Sequence, residues 1–257
     1  MITEYSFKTN NSLLKSLFHK IIGKKLLETA NLHSTTEFEA KVFKQHVQPR
    51  SSYVIHNLVE FPERNPSTSE EEKNDTFRLL FLSRVDKKKG LELLFEAIST
   101  LSFAWTLTIA GTGDPTYVNA LKQRAAELGI TANIIWIGQV DNTFKFELIK
   151  ESDVFCLTSY NENFANVVIE SISQGTAVLV SDQVGLYEYV DANKLGIVCK
   201  MQSDDVVNKI TQLHDDPTLL EDIKVQGPMI IQRDFDKKML ANKYIDMYNQ
   251  ILYSENT

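Results

Sequence analysis

From Thr76 to Cys199 short β-rich runs alternate with helical stretches, and this alternation constrains the fold more than any other feature of the chain. The runs predict strands over 77–83, 105–110, 133–137, 154–158, 177–181 and 196–199, with helices over 90–99, 116–128, 143–152 and 164–174 between them. Strand, helix, strand at this spacing implies right-handed crossovers and a parallel sheet covered on both faces. The expected fold class is therefore α/β, a doubly wound parallel Rossmann-like sheet. Helical patterns over 203–214, 217–231 and 235–253 close the chain.

The segment before Thr76 reads differently. Residues 12–30 place Leu13, Leu14, Leu17, Phe18, Ile21, Ile22 and Leu26 on one helical face, with Lys15, Lys20, Lys24 and Lys25 between them. A short helical stretch over 37–45 and a strand over 52–56 follow. Residues 61–75 hold two prolines and an acidic cluster, the composition of an exposed connector. The organisation expected is an N-terminal piece over 1–60, a linker over 61–75 and a Rossmann-like domain with C-terminal helices over 76–257.

Charge narrows the function. Twenty-seven Lys and Arg against 34 Asp and Glu leave a net charge of −7, which repels a polyanion, so no nucleic-acid partner is expected. The two cysteines, Cys156 and Cys199, each lie in an apolar run, as buried thiols of a reducing compartment do. The five histidines are scattered and none pairs with Cys or Glu at ligand spacing, so no metal site is expected. No stretch of about 18 apolar residues is present, and the opening Met1 to Tyr5 lacks a secretory pattern. The expected location is cytoplasmic.

In open parallel sheets ligands bind beyond the carboxyl ends of the strands, where loops lead into helix N-termini. After the first strand, the loop from Ser83 to Gly90 carries Arg84 and Lys89, which suit one phosphate group or, alternatively, form a solvated basic surface. After the fourth strand, Glu162 and Glu170 stand eight positions apart, one in the loop and one a turn inside the helix. Their separation of roughly 10 Å along the axis suits the two ends of an extended ligand, although glutamate near a helix start is also a favourable surface residue. Ala110-Gly111-Thr112-Gly113-Asp114 starts like a dinucleotide fingerprint but has Thr116 where the third glycine belongs, so the two glycines more simply shape a tight loop. Asp234-Phe235-Asp236 reads as helix capping at the start of the last helix.

Taken in order, these segments resemble the C-terminal half of the family 4 glycosyltransferases, retaining nucleotide-sugar enzymes with two Rossmann domains (GT-B fold). The resemblance rests on Leu32 to Glu37, Val54 to Asn57, Ser83-Arg84 with Lys89-Gly90, Ala110 to Asp114, Trp136-Ile137-Gly138, Glu162 through Glu170, and Gln174-Gly175-Thr176. Glu162 to Glu170 matches that family's Glu, seven residues, Glu motif. The resemblance implies that Arg84 and Lys89 grip the donor diphosphate and that Glu170 holds the ribose. Glu162 would be the catalytic residue at the donor sugar, and Asn163, Phe164, Ala165 and Asn166 would face sugar and phosphate. Gly138, Gln139 and Val140 would form a wall for the base.

It further implies a UDP- or GDP-sugar donor, a hexose-type sugar, a glycan or lipid-linked acceptor, and no cofactor or metal. Three positions depart from the family pattern: Ala165 for glycine, Ser171 for alanine and Ala177 for proline. Ala165 matters most, because its Cβ stands where the family lets backbone approach ligand. One strand and two helical stretches before Thr76 are too few for a second sheet, so 1–60 is expected to be a remnant of the acceptor lobe. A separate acceptor-domain subunit would then complete the enzyme. The alternative is a noncatalytic nucleotide-sugar-binding or partner subunit. The basic helix would pack on the other lobe or make peripheral contact with an anionic membrane at its inner face.

Overall fold

The structure is a computed structural model and describes residues 23–63 and 75–254. Most of the basic amphipathic helix and of the linker therefore lies outside the described residues. Two compact units are present, Met1–Val59 with Phe235–Thr257, and Glu60–Asp234.

In the first unit helix α1 (Lys24–Glu28) leads into strand β1 (Asn31–Ser34), helix α2 (Glu37–Lys44) and strand β2 (Ser51–Val54). The described helix ends at Glu28, short of the predicted 30, because Asn31–Ser34 is taken up as a strand. That strand is too short and too polar to read from its sequence. It pairs in parallel with β2, Asn31 opposite Ser51 and Ser34 opposite Val54. A capping box starts α2: Thr36 Oγ1 accepts from Glu39 N at 3.1 Å, and Glu39 Oε2 accepts from Thr35 N at 2.7 Å. The last helix, α10 (Lys237–Ser254), belongs to this unit. Its Tyr244 meets His33 edge-on at 5.1 Å between ring centroids, and the Tyr244 hydroxyl donates to the His56 carbonyl at 3.2 Å. Asp236 Oδ1 accepts from Met239 N at 2.7 Å, the capping expected of this triplet.

The second unit is a six-stranded sheet, parallel throughout, in the order β5-β4-β3-β6-β7-β8. Its strands are β3 (Phe77–Leu82), β4 (Trp105–Ala110), β5 (Ile134–Gly138), β6 (Val154–Leu157), β7 (Ala177–Ser181) and β8 (Gly196–Cys199). Between them run α3 (Leu91–Ile98), α4 (Pro115–Glu127), α5 (Asn142–Glu151), α6 (Asn166–Ser173) and α7 (Tyr187–Ala192); α8 (Ser203–Asp215) and α9 (Pro217–Asp234) follow. The doubly wound reading holds, with boundaries within about three residues. One helix was missed: parallel neighbours β7 and β8 need a crossover, and the six residues of α7 are too few to show a helical period.

Residues of β6 and β7 are buried along their whole length, as central strands covered on both faces must be. Leu79, Phe81, Leu91, Leu94 and Phe95 are each less than 2% exposed and belong to one core cluster that joins β3 to α3. At the amino end of the sheet Asp153 ties the approach to β6 onto β3: it accepts from Arg78 N at 2.7 Å and from the Arg78 guanidinium at 2.9 Å. Helix α9 crosses α6 where Gly227 stands, and a Cβ there would lie 3.0 Å from Ile172 Cγ2.

Cys156 and Cys199 are free and buried. They lie two strands apart across β7 and two residues out of register, so by strand spacing and rise they are more than about 11 Å apart, beyond disulfide reach. Burial pushes the Cys199 thiol up to about 12 and the Cys156 thiol higher still. A thiol-exchange reagent at pH 8 is therefore expected to leave the folded protein unlabelled and to titrate two thiols in denaturant; prompt labelling of the native chain contradicts this packing.

Ala165, at the entry to α6, has φ 61 and ψ 75, a left-handed conformation that costs a residue with a Cβ about 1–2 kcal/mol. Allowing for the greater chain entropy of glycine, Ala165→Gly should stabilise the fold by about 0.5–1 kcal/mol. Thermal melts of the two proteins check this, and an unchanged or lower Tm counts against strain at Ala165.

Candidate functional site

The order of the strands locates the site. The chain leaves β3 toward β4 on one side and later returns to β6 on the other. The connections from these neighbours run on to β4 on one side and β7 on the other, and an open parallel sheet binds its ligand at such a switch point, beyond the carboxyl ends of the strands. Residues 83–90 follow β3 and residues 158–165 follow β6.

Backbone contacts lock these two loops together. Tyr160 N donates to the Lys88 carbonyl at 2.8 Å, and Thr158 Oγ1 donates to the Gly90 carbonyl at 3.0 Å. Asp86 closes the 3-10 turn Lys87–Lys89 by accepting from Lys88 N at 2.9 Å. Gly90 has φ 68, and a Cβ at this position would lie 2.0 Å from the Thr158 carbonyl oxygen. Both conformation and space thus require glycine. The consequence is an ion pair between Lys89 Nζ and Glu162 Oε2, side chains 73 positions apart and only 14% and 24% exposed. Glu162 is held from behind: its N–H donates to the Gln183 carbonyl at 3.1 Å, and its carbonyl accepts from Gly185 N at 2.7 Å.

Arg84 lies in the same loop, exposed, with no ion pair among the described residues. The loop after β4 supports it. Val85 N donates to the Thr112 carbonyl at 2.9 Å, and Cβ atoms at Gly111 and Gly113 would lie 1.9 and 2.0 Å from the carbonyl oxygens of Ser83 and Val85. The two glycines therefore serve close packing of one loop on another, where the sequence suggested only a tight loop.

Helix α6 starts at Asn166 rather than Phe164, because Ala165 is left-handed. Asn163 and Ala165 are half-buried, the Phe164 side chain is buried and Asn166 is exposed. Glu170 lies at the fifth position of α6, about 6 Å from its start. Its carboxylate pairs with Lys145 of α5 at 2.9 Å, and the side chains are 13% and 15% exposed. Sequence reasoning missed Lys145. Twenty-five positions separate the two residues, and nothing in the local pattern of α5 marks the lysine out.

Gly138, Gln139 and Val140 form the exit from β5. Gly138 has φ 73 with open space where a Cβ would stand, and its carbonyl accepts from Gly111 N at 2.7 Å. Asp141 then caps α5 by accepting from Phe144 N at 2.9 Å. The carboxyl edge of the sheet thus carries Arg84, Lys89–Glu162 and Lys145–Glu170 on loops and helix starts, a set able to hold an anion beside hydroxyl groups. Among the described residues no group of three or more His, Cys, Asp or Glu is placed to hold a metal ion, and no helix is long and apolar enough to cross a membrane.

Comparison with known proteins agrees with this architecture. The phosphatidyl-myo-inositol mannosyltransferase of Mycobacterium leprae is 26% identical over 182 residues, which cover 68% of this chain and 47% of that protein. Sucrose-phosphate synthase from Thermosynechococcus elongatus superposes with a TM-score of 0.81 at 20% identity, over 99% of this chain and 65% of that one. Anabaena Alr3699/HepE in complex with UDP and glucose gives 0.78 at 20% identity, over 89% and 66%. The fold is that of the GT-B glycosyltransferases. The chain spans about half the length of the curated relatives it matches. The model of the glycosyl transferases group 1 family matches residues 63–228, and the chain belongs to that family.

Proposed function

We propose that this chain binds a UDP- or GDP-sugar at the crevice between β3 and β6 and transfers the sugar, a hexose, with retention, as family 4 enzymes do. The observation that carries the reading is the Lys89–Glu162 ion pair, formed by two loops docked at the point where the strand order reverses. An ammonium has three N–H donors, so Lys89 can hold Glu162 and still face a phosphate. Arg84 adds a second cation in the same loop.

In this mechanism Arg84 and Lys89 stabilise the charge that develops on the departing diphosphate. Glu162 stands at the donor sugar while the anomeric bond breaks through an oxocarbenium-like state, and the acceptor enters on the face that the diphosphate leaves. Glu170 accepts hydrogen bonds from the ribose. Asn163, Ala165 and Asn166, with the backbone of Phe164, line the sugar and phosphate side. Gly138, Gln139 and Val140 flank the base. No metal is invoked, because the two cations supply the positive charge.

Relatives and neighbours support the donor and acceptor classes: the Anabaena structure contains UDP and glucose, and the mycobacterial relative is named for transfer to a phosphatidylinositol. We infer a glycan or lipid-linked acceptor, met in the cytoplasm or at the inner face of the membrane. Its binding lobe would be supplied by another chain, residues 1–60 being a remnant of that lobe.

Calorimetry with UDP and GDP tests the site. One of the two should bind, and Arg84→Ala and Glu170→Ala should each weaken it roughly 10- to 100-fold, the range for losing a hydrogen bond to a charged group. Unchanged affinity in both variants refutes the assignment. Binding of a nucleotide sugar without turnover, even with an acceptor lobe added, would instead identify a noncatalytic binding subunit.

A further inference from the structure

Lys145 has no role in the mechanism above, yet its side chain is only 15% exposed. We propose that Lys145 is a positioning residue for nucleotide recognition: it fixes the Glu170 carboxylate toward a ribose diol and so sets how strongly the site depends on the ribose hydroxyls. The inference rests on the nucleotide-sugar reading of the site.

Three observations support it. First, the Lys145–Glu170 pair is shielded, with side chains 15% and 13% exposed, whereas the surface pair Arg124–Glu96 is 40% and 44% exposed. A solvated pair of that second kind contributes little, while a shielded one restricts its partners. Secondly, Lys145 engages Glu170 Oε1, and Oε2 accepts no hydrogen bond from the described residues. A carboxylate tethered through one oxygen presents the other in a set direction, which lowers the ordering cost of binding a hydroxyl.

Thirdly, the lysine is itself held. Its ammonium lies 4.5 Å from the centre of the Phe146 ring. Helix α5 is anchored near its far end, where Thr176 Oγ1 donates to the Ile149 carbonyl at 2.6 Å. At its near end Asp141 caps it directly after residues 138–140. Lys145 therefore links the segment assigned to the base with the helix assigned to the ribose.

The test is calorimetry with UDP and 2′,3′-dideoxy-UDP, or the guanosine pair if GDP is preferred. It uses the wild type, Lys145→Met, Lys145→Gln, Lys145→Arg and Glu170→Gln, with thermal melts to confirm that each variant folds. The wild type and Lys145→Arg should lose about tenfold in affinity when the ribose hydroxyls are removed. In Lys145→Met and Lys145→Gln that penalty should fall below about threefold, with affinity for the dideoxy nucleotide unchanged. A full penalty in both neutral variants overturns the inference and leaves the nucleotide site standing. So does an equal weakening toward both nucleotides, the mark of a phosphate contact or of a merely structural pair. If the wild type shows no ribose penalty, or Glu170→Gln retains one, the ribose assignment of Glu170 fails and this inference fails with it.

Discussion

The arrangement of the site depends on one close approach, the Gly90 backbone against the Thr158 carbonyl. A Cβ on residue 90 would lie 2.0 Å from that oxygen, so any other side chain would push the loop after β3 away from the loop after β6. With glycine there, the Tyr160 N–H reaches the Lys88 carbonyl, Thr158 Oγ1 reaches the Gly90 carbonyl, and Lys89 meets Glu162. A hydrogen-bonded loop pair with little freedom is what a preorganised ligand site requires.

The rest of the sheet works to keep that approach in place. At the amino end Asp153 accepts from the Arg78 backbone and guanidinium, so β3 and β6 are joined below the core as well as above it. Between these joins the buried strands leave no room for slippage, since a shift of one residue would exchange the two faces of each strand. On the β4 side Gly111 and Gly113 bring their loop against Ser83 and Val85. On the β7 side Gln183 and Gly185 hold the Glu162 backbone. Neighbouring loops thus support both charged segments from outside.

Each glutamate of the pair has its own lysine, Lys89 for Glu162 and Lys145 for Glu170. One lysine comes from the loop after β3 and the other from the helix after β5, so the two carboxylates are held from two different elements on the β5-β4-β3 side of the sheet. Ala165 lies between the glutamates in a left-handed conformation. The chain tolerates a strained residue there because Val168 N still bonds to the Ala165 carbonyl at 2.9 Å and buried Phe164, Val168 and Ile169 hold the turn. Strain that the surroundings maintain is common where backbone must face a ligand.

Much of this was legible in the sequence. The alternation of strand and helix patterns determined a parallel doubly wound sheet, because hydrophobic period and crossover handedness act locally and leave few alternatives. The same reading singled out Arg84, Lys89, Glu162 and Glu170 as candidates, since ligands of such sheets lie after strand carboxyl ends and the order of residues along the chain shows where those ends are; the structure brings all four to that edge. Short elements escaped it. Asn31–Ser34 and Tyr187–Ala192 are four and six residues long, too short for a period to show, and both exist because a parallel neighbour or a crossover demands them. Only the tertiary structure decided that Lys89 pairs with Glu162 and Lys145 with Glu170, that the last helix joins the N-terminal unit, and that Ala165 rather than Phe164 ends the loop. Those choices depend on side chains brought together from 25 to more than 200 positions apart and on backbone torsions imposed by packing, and neither leaves a local trace in the order of residues.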